Sequence, residues 1–162
     1  MLIDFAIHKK NKNAKEALEQ MAKVETIYSS SQETSKEVTV FASAVSAGTP
    51  QPVEDFIEGK IDLNHHLIHK PDSTFIVRVT GDSMVDAGIH PGDLLIVDRS
   101  LTPTDGRVVI ASLNGDLTVK RLCKQQDKLF LMPENTKYSG IEVQEEMGCR
   151  IWGVVTNCIH PL

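Results

Sequence analysis

The stretch Arg107-Val108-Val109-Ile110-Ala111-Ser112-Leu113-Asn114-Gly115-Asp116-Leu117-Thr118-Val119-Lys120-Arg121-Leu122 decides the fold. Two runs rich in β-forming residues flank Asn114-Gly115, the dipeptide that most readily takes the positive φ angles of a two-residue hairpin turn. The stretch therefore predicts an antiparallel hairpin. A turn that tight pins the strand register, so every side chain is committed to one face of the sheet. By period-2 alternation Lys120 shares its face with Thr118 and Leu122. An apolar neighbour there would desolvate the ammonium and pull its pKa below the usual ~10.4.

Outward from the hairpin the same pattern repeats. Phe75–Thr80 reads as a strand that enters the turn Gly81-Asp82-Ser83-Met84, and Pro91-Gly92 precedes a strand over Leu94-Leu95-Ile96-Val97. Further short strands are expected at Leu129–Met132, around Ile141–Val143, and at Ile151–Ile159. Many short strands separated by turns predict a mainly β domain, a curled antiparallel sheet or small barrel, rather than βαβ units.

The N-terminal part reads differently. Asn13 with Glu16 three residues on resembles a helix cap, and Ala14, Ala17, Leu18, Met21 and Val24 fall on one face at helical spacing, which predicts a helix over about 13–28. Residues 29–37 form a polar linker, and Val38 through Val45 is an extended segment suited to a sheet edge or groove. Two helical pieces broken at Gly59 are expected over 53–69. The organisation expected is a partly helical arm, 1–47, followed by a folded domain, 48–162.

Composition narrows the function classes. The 162 residues suffice for one domain with a core plus an appendage, and the net charge of −5 argues against charge-driven DNA binding. Residues 1–47 carry six Lys and six Asp/Glu, so the excess of acid lies in 48–162. Three cysteines, Cys123, Cys149 and Cys158, show no metal-type spacing and read as reduced thiols of a cytoplasmic protein. No apolar run is long enough to span a membrane, and the N-terminus lacks a signal peptide's apolar core.

Two residues stand out chemically. Ser83 follows a strand in a tight turn, and Lys120 lies on a strand with a fixed face. Serine plus a neutral lysine is a known variant of the nucleophile-and-base pair. His65, His66 and His69 lack the glutamate that a metalloprotease helix needs beside its first histidine, and they read as a solvated face. Asp82 reads as a turn residue. No cofactor and no metal are expected.

These motifs carry a resemblance. Ala47-Gly48-Thr49-Pro50, Lys60-Ile61-Asp62-Leu63-Asn64, Gly81-Asp82-Ser83-Met84, Gly92 to Asp98, Leu117-Thr118-Val119-Lys120 and Gly153-Val154-Val155 stand in an order and at intervals similar to the LexA/UmuD family of self-cleaving serine–lysine peptidases. The resemblance covers Ala47 to about Val155 and implies the curled sheet of the LexA C-terminal peptidase type. It also implies Ser83 as nucleophile, Lys120 as general base, and Ala47–Gly48 as the bond cut. Its UmuD-like branch implies stimulation by a RecA filament on single-stranded DNA. There the shortened homodimer joins a UmuC-like Y-family subunit as an error-prone translesion polymerase in SOS mutagenesis. Neither sequence-specific DNA binding nor a membrane role is implied. The alternative within the family is a LexA- or phage-type repressor inactivated by the same cut. The arm has one good helix, whereas such a repressor needs several to place a recognition helix.

Overall fold

A computed structural model describes residues 23–29, 36–41 and 57–162. The central hairpin forms as its sequence dictates. Strands β6 (Val108–Leu113) and β7 (Asp116–Gln125) pair antiparallel with Leu113 opposite Asp116, leaving Asn114 and Gly115 as the loop. Their φ values of 52° and 93° are those of a turn that matches strand twist.

Around this hairpin lie β4 (Thr74–Thr80), β5 (Leu94–Asp98), β8 (Lys128–Met132), β9 (Ile141–Glu142) and β10 (Arg150–Ile159). With β1 (Lys23–Ser29) they form one eight-stranded antiparallel sheet in the order β1-β4-β5-β10-β6-β7-β8-β9. The sheet curls until β1 also meets β7, at Lys23 opposite Thr118. The curled antiparallel sheet expected from the strand pattern is therefore present. A separate ribbon pairs β2 (Glu37–Phe41) with β3 (Ile57–Asp62), and helix α1 (Leu63–Leu67) follows, capped by the Asp62 side chain on the Asn64 amide at 2.9 Å.

Alternation along the strands sends side chains into two apolar clusters. Ile110 and Val119 join Phe75, Val77, Val79, Met84, Leu95 and Val97 in one. Val109, Ala111, Leu113, Leu122, Leu131 and Val154 make the other. Gly153 of β10 has no room for a side chain, since a Cβ there would lie 2.7 Å from Val97 Cγ1 and 3.1 Å from the Asp98 carbonyl oxygen.

Two expectations are corrected. The helix over 13–28 fails for its last part, because residues 23–29 are β1, paired with β4 from Lys23–Thr80 to Ser29–Phe75. Val24-Glu25-Thr26-Ile27-Tyr28 is rich in β-branched and aromatic residues, and β4 offers an edge to pair with, so tertiary pairing overrides the helical spacing of the upstream apolar residues. Residues 13–22 lie outside the described residues. Of the two helical pieces expected over 53–69, the end of the first and the start of the second are strand over Ile57–Asp62, with Gly59 extended opposite Val40. The second piece is helical over Leu63–Leu67, shorter than expected, and residues 53–56 lie outside the described residues.

Candidate active site

Strand β4 ends at Thr80, and Gly81, with a φ of 78°, turns the chain sharply into Asp82-Ser83-Met84. Met84 is buried in the first apolar cluster, and its carbonyl accepts from the amides of Ala87 and Ile89 at 3.1 and 3.2 Å. The turn is thus anchored from its far side, which fixes where Ser83 can point.

On the other wall, β7 carries Lys120 directly opposite Val109 of β6, with Leu122 two residues along on the same face. Both of these apolar residues are buried, and Lys120 itself is fully buried. Its Nζ donates to Ser83 Oγ at 2.7 Å and to the Val119 carbonyl at 2.9 Å. Ser83 is fully buried too. The structure therefore brings together the two residues singled out in the sequence, 37 positions apart.

Burial lowers the Lys120 pKa from 10.5 to about 8. Removing an ammonium from water disfavours its charged form, and among the described residues no carboxylate hydrogen-bonds or ion-pairs with this one to offset the loss. Once neutral, the amine keeps N–H for the Val119 carbonyl and offers a lone pair to the Ser83 hydroxyl, reversing the donor direction. A serine paired with such an amine can be deprotonated as it attacks a carbonyl.

A third segment, which sequence reasoning missed, holds this geometry. The Glu134 amide donates to the Ser83 carbonyl at 2.9 Å, and the Asp86 amide donates to the Glu134 carbonyl at 2.9 Å. Asn135 Nδ2 donates to the Asp82 carbonyl at 2.9 Å, while its Oδ1 accepts from the Lys137 amide at 3.0 Å. The Tyr138 hydroxyl donates to the Asp82 carboxylate, and Lys137 Nζ lies 3.5 Å from that group. The Tyr138 hydrogen bond, seconded by Lys137, holds the Asp82 carboxyl below the usual carboxylate range. Arg121, next to Lys120, pairs with the Glu134 carboxylate. Loop 133–138 is therefore tied both to the serine turn and to the lysine strand, and Asp82 is a tether as well as a turn residue.

Other sequence candidates fall elsewhere. His65, His66 and His69 are exposed, and α1 ends at Leu67, before His69. Ala47 and Gly48 lie outside the described residues. No helix among the described residues is long and apolar enough to cross a membrane.

The Peptidase S24-like family model matches residues 39–156. Protein SamA of Salmonella typhimurium is 41% identical over 121 residues, covering 75% of this chain and 84% of SamA. Protein MucA of Escherichia coli is 34% identical over 143 residues, covering 86% of this chain and 97% of MucA. The LexA repressor of Acidithiobacillus ferrooxidans is 41% identical over 119 residues, covering 72% of this chain but 58% of the repressor. Protein ImpA of Escherichia coli is 41% identical over 121 residues, covering 75% of this chain and 82% of ImpA. With the buried serine and lysine on the matched segment, the chain belongs to the Peptidase S24-like family, in its UmuD-like branch beside SamA, MucA and ImpA.

Proposed function

We propose that this chain is a serine peptidase that cuts its own N-terminal arm between Ala47 and Gly48 and serves in the SOS response to DNA damage. The observation that carries the proposal is the 2.7 Å contact between Lys120 Nζ and Ser83 Oγ, with both groups fully buried. Neutral Lys120 takes the hydroxyl proton as Ser83 Oγ attacks the Ala47 carbonyl carbon. The oxyanion that forms is held by backbone N–H groups at the serine turn. Collapse breaks the Ala47–Gly48 bond, and the protonated lysine returns its proton to the Gly48 amine. Water, activated by the again neutral lysine, then releases the Ala47 carboxylate and restores the serine.

Small residues at the bond fit such a buried site, because Gly48 lets the backbone come close to the serine. The cut would separate β1 and β2 covalently from β3 and all that follows. The β1–β4 and β2–β3 pairings would become contacts between two chains, free to dissociate. The chain left would run from Gly48 to Leu162.

The similarity to SamA, MucA and ImpA supports a UmuD-like role: cleavage stimulated by a RecA filament, followed by assembly of the processed homodimer with a UmuC-like Y-family polymerase subunit. The repressor alternative is less well supported, since the chain spans 58% of the LexA relative against 84% and 97% of SamA and MucA. The test is incubation of the purified chain with and without RecA assembled on single-stranded DNA. Faster appearance of the 48–162 fragment with the filament, and its co-purification with the polymerase subunit, is the expected result. A cleavage rate indifferent to the filament would remove the SOS role, and an operator-DNA gel shift by the intact chain would favour the repressor.

A further inference from the structure

Strands β5 and β10 pair antiparallel with Leu94 opposite Ile159, so one step further the register sets Asp93 opposite His160. Cys158 lies two residues before His160 and therefore on the same face. The Asp93 end is equally well defined. His90-Pro91-Gly92-Asp93 is a tight turn in which the Asp93 amide donates to the His90 carbonyl at 3.1 Å, with Gly92 at a φ of 94°. Proline second and a left-handed glycine third are the preferences of a type II turn. The His90 amide in turn donates to Asp93 Oδ2 at 2.7 Å.

Three donor groups converge there, with the Cys158 thiol beside the carboxylate. His160 Nδ1 is 2.6 Å from Asp93 Oδ1, Cys158 Sγ is 3.2 Å from Asp93 Oδ2, and His90 Nδ1 is 3.9 Å from the same Oδ2. The His90, Asp93 and His160 donor atoms all lie within 4.8 Å of one another. Metal–ligand bonds of ~2.0–2.3 Å in a tetrahedral zinc site put neighbouring donors roughly 3.3–3.7 Å apart. The observed separations bracket that range. Asp93 is fully buried and fixed, whereas both imidazole side chains are about half exposed, at 46% and 47%, so the rings have room to adjust. The two rings are neighbours, with centroids 5.0 Å apart and planes tilted by 48°.

We propose that His90, Asp93 and His160, with Cys158 as fourth donor, form a binding site for a divalent transition metal of the zinc type. Mixed imidazole, carboxylate and thiolate donors suit zinc, cobalt or nickel and not calcium or magnesium. On binding, each imidazole presents Nδ1 to the ion and carries its proton on Nε2, while Cys158 releases its thiol proton to solvent and binds as thiolate. The His160–Asp93 hydrogen bond gives way to two metal bonds. The ion then clamps the end of β10 to the turn that starts β5. None of these residues belongs to the Ser83 turn or to β7, so the site is separate from the peptidase chemistry.

The experiment is titration of the full-length Ser83→Ala protein with Zn²⁺ by calorimetry and with Co²⁺ by visible absorption. One ion per chain, d–d bands of tetrahedral intensity, a thiolate-to-cobalt band and a melting temperature raised reversibly by the metal are expected. His90→Ala and His160→Ala, both at exposed positions, should each weaken binding on the order of tenfold or more. His65→Ala/His69→Ala should bind as the parent does. No uptake by a folded parent would overturn the proposal and leave the His160–Asp93 contact as a structural hydrogen bond. Uptake insensitive to His90→Ala and His160→Ala, or abolished by the His65/His69 double variant, would overturn it equally.

Discussion

Self-cleavage should follow the deprotonation of Lys120, and the curve can be worked out from its surroundings. With the amine lowered to about 8 by burial, roughly one-tenth is neutral at pH 7, half at pH 8 and about nine-tenths at pH 9. The first-order cleavage rate should therefore rise about tenfold from pH 7 to pH 9 and then level off. A lysine at its ordinary ~10.4 would instead give a rate still climbing about tenfold per pH unit between 8 and 10. The assay is quantitative gel or mass analysis of the purified chain over pH 6–10, with circular dichroism confirming that it stays folded. Val109→Thr places a hydroxyl directly opposite Lys120, where it can solvate the ammonium, and should move the midpoint to higher pH. A flat profile, a midpoint near 10.4, or a Val109→Thr midpoint moved to lower pH would refute the argument that burial activates the lysine.

Burial of Lys120 also costs stability at neutral pH, because below about 8 it is protonated in both folded and unfolded chains while only the folded chain buries the charge. In the Ser83→Ala background, Lys120→Met should gain on the order of 3 kcal/mol in urea unfolding at pH 7. The gain should shrink as pH rises from about 8 to the unfolded lysine's ~10.4, above which both forms are neutral; a constant gain would contradict the linkage. Tyr138→Phe removes the hydroxyl that tethers loop 133–138 to Asp82, and should slow cleavage severalfold without moving the pH midpoint. A shifted midpoint would mean that the loop acts on Lys120 electrostatically. Gly153→Ala drives a methyl against Val97 and the Asp98 carbonyl and should cost about 1–3 kcal/mol by chemical denaturation, and an unchanged midpoint would show that the strands part freely there.

What was legible in the sequence is what local chemistry determines. Asn114-Gly115 specified the turn, the turn specified the register, and the register put Lys120 on the face of Val109 and Leu122. Ser83 was legible from the strand and glycine before it. Residues 23–29 were not, because Val24 extends a helical stripe while Thr26 and Ile27 suit a strand, and only the edge of β4 decides between them. The tethers from Asn135 and Tyr138 to Asp82 span 53 and 56 residues, so no local pattern announces them. The His160–Asp93 contact spans 67 and follows only from the β5–β10 register. Spacing rules for metal sites look for ligands close in sequence, and here a sheet brings them together.

The most direct measurement of the central claim is the intact mass of the purified chain after incubation at pH 9, beside Ser83→Ala and Lys120→Ala. Two wild-type products meeting at Ala47 and Gly48, with both variants folded and uncut, are predicted. Cleavage that persists in either variant, or a wild-type chain that stays whole, would contradict it.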